Sequence, residues 1–272
     1  MNNPVEAHYT RGNLLDAIRE AFLRAGKNPE SLTPQDLAPV DEFHIRGRQA
    51  TEELASLLEV GSGSRVLDVG SGIGGPARFL AATRGCHVTG VDLTAEFCQA
   101  ATELARWVGL SELVEYRQAN ALSLPFPDQT FDAAWTQHVA MNIADKARLY
   151  AEVQRVLKPG ARFVCYDVLQ GPGGDVVYPT PWASHSSLSH LVAPDEMRRL
   201  LPQAGLEIFH WRETSEAGLH WFREGMRRWT EQGPPAAIRI ALGPNFAQMA
   251  QNMVRNLEEH RLVIFEFACR RA

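Results

Sequence analysis

One stretch of the chain reads Val66-Leu67-Asp68-Val69-Gly70-Ser71-Gly72-Ile73-Gly74-Gly75-Pro76, an apolar run that ends in a glycine-rich turn. Glycines 70, 72 and 74 let the backbone turn sharply and lie close against a ligand, because no Cβ stands in the way. Pro76 sets φ for a first helical turn and lacks only an N–H that would have no partner there. The stretch therefore predicts a strand, a turn and a helix, with a ligand at the carboxyl end of the strand, where open α/β sheets bind ligands.

The spacing of the glycines does not determine which class of ligand binds at the turn. Gly70, Gly72 and Gly75 also satisfy the dinucleotide fingerprint G-x-G-x-x-G, which is weak evidence by itself. Asp68 precedes the first glycine by two residues, where it would repel a pyrophosphate and attract a ligand that carries an ammonium and a sulfonium. Asp92 closes the next apolar stretch, about 20 residues beyond the turn, the spacing at which an acid accepts ribose hydroxyls. The two acids favour a cationic nucleoside ligand, and an NAD-linked oxidoreductase is a minor alternative.

Two segments then resemble a known family. D-V-G-S-G-I-G-G at 68–75, followed by G-V-D at 90–92, is similar to the first motif and its follower in class I S-adenosylmethionine-dependent methyltransferases. R-Q-A-N-A-L-S-L-P-F-P-D-Q-T-F-D at 117–132 resembles the family signature G-D-A-x-x-L-P-F-x-D-x-x-F-D. The resemblance implies S-adenosylmethionine as cofactor. It assigns Gly70, Gly72 and Gly74 with Asp68 to the methionine end, and Asp92 to the ribose.

The same resemblance also indicates which residues bind the adenine. In the family, the acid before the alanine of the signature accepts a hydrogen bond from the adenine amino group. Here Asn120 stands at that position, and its side-chain oxygen accepts the bond without a charge. We expect Asn120 and the Ala121 backbone to hold the adenine. Leu93 and Gln137 are also counted among the cofactor-binding residues.

Composition limits the class of protein. With 272 residues and 45% hydrophobic content, the chain can bury the core of one large domain. A formal net charge of −5 disfavours nucleic acid as a partner, since that needs a basic surface. Four cysteines without a C-x-x-C pair indicate thiols in a reducing cytosol. The N-terminus lacks a signal sequence, and no apolar run approaches the roughly 20 residues that span a bilayer. These features predict a cytoplasmic protein that does not bind membranes.

Apolar and helical segments alternate after residue 60, which predicts βαβ units and a parallel sheet. The predicted strands lie near 65–70, 86–91, 113–117, 131–136, 161–168, 206–211 and 262–268, and the main helices near 76–84, 94–108, 143–156 and 194–204. Together with the resemblance, this predicts an α/β, doubly wound, seven-stranded and mostly parallel sheet whose seventh strand is antiparallel. Four units are predicted: an N-terminal helical lid at 1–60, a cofactor-binding core at 61–214, a helical cap at 215–260 and the last strand of the core at 261–272. Residues 31–39 are predicted to be a proline-rich connector.

The fourth strand carries candidate chemistry. Its end, W-T-Q-H-V-A-M-N-I-A-D-K at 135–146, resembles the W-S-x-[DE]-x-x-x-H-x-x-[DN]-K segment of methyltransferases that act on sarcosine and dimethylglycine, tocopherols and phosphoethanolamine. His138 replaces the acid of that pattern, and Asn142 replaces the histidine. An acid would suit a cationic amine, whereas neutral imidazole can accept a proton near pH 7. We expect His138 to be the catalytic base or a hydrogen-bond partner of the acceptor, and Asn142 to contact the acceptor. A tautomer held by a neighbour is the structural alternative for His138.

Upstream, D-E-F-H-I-R-G-R-Q-A-T at 41–51 resembles the D-Q-x-H-x-G-G-x-x-A-T entry segment of the same subgroup. In relatives this segment lies over the methionine end of the cofactor. Arg46 or His44 would then bind the methionine carboxylate, since a guanidinium makes paired bonds to one. A solvated arginine is the alternative. Tyr9 resembles the lid tyrosine of related enzymes and is counted as catalytic.

The loop after the fifth strand is expected to face the acceptor, with Trp182 and His185 as its contacts. His185 and His190 are five residues apart without a nearby cysteine, so no metal site is predicted. Apolar residues at helical spacing in the cap, such as Trp221 and Phe222, indicate either core packing or a surface that faces the substrate.

Together these features predict methyl transfer from S-adenosylmethionine to a nitrogen or oxygen of a small-molecule acceptor, by a monomer or homodimer. The alternative is a methyltransferase-fold protein that binds the cofactor but catalyses a non-methylating step such as cyclisation. Neither the acceptor nor its reacting atom follows from the sequence.

Overall fold

The computed structural model describes residues 4–10, 12–233 and 243–272. The strands are β1 Arg65–Val69, β2 His87–Asp92, β3 Val114–Gln118, β4 Phe131–Gln137, β5 Leu157–Gln170, β6 Leu206–Glu213 and β7 Leu262–Arg271. The helices are α1 Pro4–Tyr9, α2 Leu14–Arg24, α3 Pro34–Asp41, α4 Gly47–Leu58, α5 Gly75–Arg84, α6 Ala95–Trp107, α7 Lys146–Val156, α8 Pro194–Gln203, α9 Ser215–Gln232 and α10 Phe246–Glu258.

The described strands form one seven-stranded sheet in the order β3-β2-β1-β4-β5-β7-β6. Strands β1 to β5 pair in parallel, and β7 is antiparallel to both β5 and β6. This arrangement confirms the predicted doubly wound sheet with an antiparallel seventh strand. The order reverses beside β1, because β2 and β3 lie on one side and β4 on the other. Such a reversal opens a crevice at the carboxyl ends of the strands.

The centre of the sheet is apolar because helices cover both of its faces. Val66, Leu67 and Val69 of β1 are fully buried. Gly74 has φ of +82° and caps α5, and Pro76 lies in the first turn of that helix as predicted. The predicted strand–turn–helix unit is therefore present.

Residues 31–39 differ from the prediction. Instead of a connector, the structure has helix α3 at Pro34–Asp41. The Thr33 side chain accepts from the backbone N–H of Asp36, whose carboxylate accepts from the Thr33 backbone in return. This capping box offsets the cost of starting a short helix, and Pro39 is tolerated inside it. The connector prediction was wrong because it treated each proline as a break.

The region 215–260, predicted as a cap, contains α9 and α10. The sequence predicts a break between these helices at Gly233-Pro234-Pro235, and the two prolines lie outside the described residues. The division of the chain into lid, core, cap and last strand stays a prediction. Within the described ranges, no helix is both long enough and apolar enough to cross a membrane.

Candidate active site

A cavity of about 660 Å³ lies at the carboxyl ends of β1 to β4. Its wall includes the glycine turn, Asp92 at the end of β2, the segment 119–122 after β3, and Gln137 and His138 after β4. Residues of α9 and α10 line it as well. The structure thus brings together most of the residues that the sequence assigned to the cofactor.

The glycine turn is close-packed on its inner side. Gly70 has φ of +73°, and a Cβ there would lie 2.3 Å from Cγ2 of Val139. Gly72, with φ of +53°, faces open space and lines the cavity. Gly74 is not part of the cavity wall, and a Cβ on it would lie 2.3 Å from Oη of Tyr116. Gly74 therefore supports the turn from behind, although the sequence counted it as a ligand contact.

Asp92 is held by backbone donors. Its Oδ2 accepts from the N–H of Gly72 at 3.0 Å, and its Oδ1 accepts from the N–H of Thr94 at 2.8 Å. Burial raises the pKa of the carboxyl group, while these hydrogen bonds oppose the shift. An ionised carboxylate has about four acceptor sites, so both oxygens can still accept from ligand hydroxyls. Leu93 lines the cavity beside it.

Three of the buried polar atoms of the cavity wall that have no hydrogen-bond partner among the described residues lie at the ends of β1 and β4. They are Oδ2 of Asp68, Oγ of Ser71 and Nε2 of Gln137. Leaving such an atom unpaired costs about 1–3 kcal/mol. A ligand that offers both donors and acceptors at the ends of β1 and β4 would remove that cost.

Burial disfavours the ionised form of Asp68. It raises the pKa of the carboxyl group to about 8; a hydrogen bond with Trp135 opposes the increase, and the negative charges of Asp92 and Glu42 add to it. A cationic group next to Asp68 would favour the ionised form.

Asn120 and Ala121 line the cavity beyond Asp92. The Oδ1 atom of Asn120 accepts from the N–H of Leu122 at 2.9 Å, which closes a local turn. A carbonyl oxygen has two lone pairs, so the predicted bond to adenine is compatible with this turn.

The two arginines of the entry segment, Arg46 and Arg48, are placed differently relative to the cavity. Arg46 has φ of +68° and occupies a position where the resembling pattern has glycine. Its buried guanidinium pairs with Glu53, and Arg46 does not line the cavity. Arg48 does line the cavity, and its Nε lies 2.8 Å from Oε1 of Glu42 without a hydrogen bond.

His44 and Glu42 also belong to this wall. Nε2 of His44 lies 2.9 Å from the carbonyl oxygen of Gly47 and 3.0 Å from Oγ1 of Thr51. Burial lowers the pKa of His44 to about 4, and burial raises that of Glu42 to about 7. The sequence assigned no role to Arg48 or Glu42, because it does not indicate which side chains of the entry segment face the cavity.

The structure does not place His138 as a free base. Its Nδ1 lies 3.2 Å from the carbonyl oxygen of Tyr166, and its Nε2 accepts from the N–H of Ile45 at 3.1 Å. The ring stacks on that of Tyr166 at 4.8 Å, with φ of +56° at the backbone. Burial lowers the pKa of His138 to about 3, and the nearby His44 ring contributes. Both ring nitrogens have partners in this geometry, which favours the alternative of a locked tautomer, and the base role stays a prediction.

Tyr9, Asn142 and Trp182 form a connected group at the cavity. The Tyr9 hydroxyl donates to Oδ1 of Asn142 at 3.0 Å. Nδ2 of Asn142 donates to the carbonyl oxygens of Trp182 at 2.9 Å and Leu188 at 3.1 Å. All three predicted residues line the cavity. Their hydrogen bonds attach α1, through Asn142, to the loop after β5.

The two histidines of that loop are placed differently. His185 is exposed, lies outside the cavity wall and contacts Oγ of Ser187 at 2.8 Å. The structure therefore does not bring His185 to the cavity wall, and the acceptor contact predicted there stays a prediction. His190 lines the cavity, and its ring has no hydrogen-bond partner in the described part of the chain. The described residues contain no group of three or more side chains suited to hold a metal ion.

Comparisons with known proteins agree with this architecture. A family model described as a methyltransferase domain matches residues 67–165. The glycine/sarcosine/dimethylglycine N-methyltransferase of Actinopolyspora halophila is 32% identical over 181 residues, covering 66% of this chain and 30% of that protein. Methyltransferase GfsG of Streptomyces halstedii is 32% identical over 187 residues, covering 66% of each chain. The chain thus spans less than a third of the first relative.

Among solved structures, the [4+2]-cyclase SpnF aligns with a TM-score of 0.68 at 24% identity, over 96% of this chain and 95% of that chain. At that identity the alignment shows a shared fold. The strand order, the glycine turn and the family match together define a class. The chain belongs to the class I S-adenosylmethionine-dependent methyltransferases. The predicted cofactor, S-adenosylmethionine, is thereby confirmed for the class to which the chain belongs.

Proposed function

We propose that the chain transfers a methyl group from S-adenosylmethionine to a nitrogen or oxygen of a small-molecule acceptor. The observation that carries this proposal is the set of unpaired buried atoms on Asp68, Ser71 and Gln137, beside the carboxylate of Asp92. A zwitterionic amino-acid end and a ribose supply the complementary groups. The residues present therefore fit the cofactor.

Each end of the cofactor has a proposed partner. Asp68 would accept from the ammonium, and Arg48 would bind the carboxylate in place of the predicted Arg46. Asp92 would accept from the ribose hydroxyls, and Asn120 with the Ala121 backbone would hold the adenine. Arg48 replaces Arg46 in this proposal because Arg46 pairs with Glu53 away from the cavity.

When bound, the cofactor supplies a methyl group already activated by its sulfonium. The protein then has to position the acceptor in line and exclude water, which can contribute several kcal/mol to lowering the barrier. Tyr9 and Trp182 close one side of the cavity through Asn142. His138 contributes as a positioning residue, since its ring joins the entry segment at Ile45 to β5.

A protonated acceptor needs a base, and we assign that role to His190 instead of His138. His190 lines the cavity, and its ring has no hydrogen-bond partner among the described residues. An imidazole nitrogen can accept a proton from a hydroxyl or an ammonium that lies within hydrogen-bond distance.

Calorimetry with S-adenosylhomocysteine and with NAD tests the cofactor site directly. Asp92→Ala should weaken binding of S-adenosylhomocysteine by about 1–3 kcal/mol, the cost of losing bonds to a charged group. Asp128→Ala is the matched control, because Asp128 pairs with Arg155 on the surface away from the cavity. Unchanged affinity in Asp92→Ala, or tighter binding of NAD, would contradict the proposal.

Turnover tests the base. With an acceptor identified by release of S-adenosylhomocysteine, His190→Gln should lower kcat by about 10²–10⁴-fold, as loss of a general base does. Cofactor affinity should stay nearly unchanged. His185→Gln is the control, since the exposed His185 ring lies outside the cavity wall. Full turnover in His190→Gln would show that the acceptor arrives as a neutral nucleophile.

Cyclisation is the second candidate function. It is favoured by the occupied ring nitrogens of His138, since a pericyclic step needs a shaped cavity and no base at that position. The SpnF alignment over nearly the whole of both chains adds support from the fold. Product formation with S-adenosylhomocysteine bound, without methyl transfer, would favour cyclisation. Stoichiometric methylation would exclude it as the main activity.

A further inference from the structure

The cavity has one wall that the cofactor assignment leaves unused. Helices α9 and α10 contribute six uncharged residues to it, which we call the aromatic wall: Trp221, Phe222, Trp229, Phe246, Ala250 and Met253. The Trp229 and Phe246 rings meet edge to face at 5.6 Å, so they join the two helices. Trp221 meets Phe222 in the same manner at 5.0 Å.

The aromatic wall is only partly buried. Phe222 and Met253 are 7% and 0% exposed and belong to the core, whereas Trp221, Trp229 and Phe246 are half-buried. Each large aromatic side chain can bury about 150–250 Å². Their remaining exposed surface borders the cavity, and a small zwitterion such as sarcosine could not cover it. A larger apolar molecule could.

Charge on the cavity wall disfavours an anionic acceptor. Five carboxylates line the cavity, namely Asp41, Glu42, Asp68, Asp92 and Asp145. Arg48 is the single lysine or arginine among the described lining residues. Arg48 is assigned to the cofactor carboxylate, so a diphosphate or a carboxylate on the acceptor would find no further guanidinium or ammonium group among the described lining residues.

These carboxylates do not form a cation site at the aromatic wall. Asp41 pairs with Arg78 at 2.6 Å, and Asp145 caps α7 by accepting from the Arg148 N–H. Asp68 and Asp92 lie at the ends of β1 and β2, and Glu42 lies beside Arg48. None of the five is on α9 or α10.

Position 138 points the same way. Here the residue is His138, whose ring nitrogens are bonded to Ile45 and Tyr166. The position therefore offers no negative charge to an ammonium.

We propose that the acceptor is an uncharged, largely hydrocarbon molecule, such as a terpenoid alcohol or a macrolactone, which lies against the aromatic wall. This inference rests on the proposed methyl transfer and narrows its substrate to one chemical class. It also makes the aromatic wall both part of the core and the acceptor-binding surface.

The experiment uses the full chain saturated with S-adenosylhomocysteine and measures binding of matched probes by calorimetry. Geraniol should bind at least about tenfold more tightly than geranyl diphosphate, which has the same hydrocarbon. Decanol should bind at least about tenfold more tightly than decyltrimethylammonium, below its micelle concentration. Sarcosine should not bind. Equal or tighter binding of the charged member of either pair would overturn the proposal.

Variants locate the binding surface. Trp229→Ala should weaken geraniol binding by roughly tenfold or more, as loss of a central aromatic contact does. Trp229→Leu, which retains apolar volume, should recover part of that loss and is the substitute if the alanine variant does not fold. Arg227→Ala is the matched control, because Arg227 is on the exposed side of α9 and pairs with Glu224 and Glu231. Unchanged geraniol affinity in both folded Trp229 variants would overturn the proposal.

The two proposals fail in different ways. If S-adenosylhomocysteine does not bind, the proposed methyl transfer fails before any acceptor is tested. If it binds but geraniol does not, only the acceptor class is wrong. Methyl-transfer assays with terpenoid alcohols and with macrolactones then distinguish the two sources of the same chemistry.

Discussion

His138 and His44 should each make a contribution to the stability of the fold that is lost in mild acid. In the folded state the pKa of His138 is about 3 and that of His44 about 4, both lowered by burial from 6.5. The unfolded chain therefore binds more protons than the folded chain between pH 6.5 and these values. The two histidines therefore contribute stability that is fully present above pH 6.5 and is lost as the pH drops below it, whereas the raised pKa values of Asp68 and Glu42 act in the opposite direction over the same range.

The magnitude follows from proton linkage. A histidine that stays neutral in the fold lowers the free energy of unfolding by about 1.4 kcal/mol when the pH falls from 7.5 to 5.5. The reason is that about one pH unit of that range lies below the pKa of histidine in the unfolded chain. The His138 ring is partly exposed, so solvent reduces its share to about 1 kcal/mol. His44 is more deeply buried and should contribute close to the full amount.

Urea unfolding at pH 7.5, 6.5 and 5.5, followed by tryptophan fluorescence, measures this effect. His138→Gln should remain folded, since a glutamine amide can donate to the Tyr166 carbonyl and accept from the Ile45 N–H. Relative to that of the unsubstituted chain, its free energy of unfolding should rise by about 1 kcal/mol as the pH falls from 7.5 to 5.5. His185→Gln is the control, because its exposed ring lies outside the cavity wall. If the free energy of unfolding of His138→Gln depends on pH in the same way as that of the unsubstituted chain, the fold does not hold the His138 ring neutral. The ring would then again be a candidate for the catalytic base.

Two further substitutions test the packing behind the cavity. Gly70→Ala should abolish binding of S-adenosylhomocysteine and destabilise the fold by about 1–3 kcal/mol, because its Cβ would lie 2.3 Å from Cγ2 of Val139. Val139→Ala in the same chain should recover part of both losses, and calorimetry showing no recovery would contradict the steric explanation. Arg78→Met should cost about 3–5 kcal/mol in the free energy of unfolding, because it leaves the buried carboxylate of Asp41 without its partner. Denaturant unfolding that detects less than about 1 kcal/mol would show that Asp41 is protonated or solvated.

The cofactor half of the site could be predicted from the sequence because its determinants are local. The turn at 70–74 requires positive φ, and glycine is the residue that adopts it without strain. Asp92 ends a strand that pairs with β1, so the two strand ends meet at one edge of the sheet. The capping box at Thr33 and Asp36 is also a local sequence pattern, although Pro39 favoured the prediction of a connector there.

The acceptor half depended on contacts between distant parts of the chain. His138 could be recognised as a departure from the family pattern, but its hydrogen-bond partners are Ile45, 93 residues earlier, and Tyr166, 28 residues later. The start of α4 determines that Arg48 and not Arg46 lines the cavity. The path of the loop after β5 determines that His190 and not His185 lines it. A strand end and a glycine turn are properties of a few consecutive residues, so the sequence determined the fold and the cofactor. The neighbours of an imidazole or a guanidinium come from packing between remote segments, and only the tertiary structure decided them.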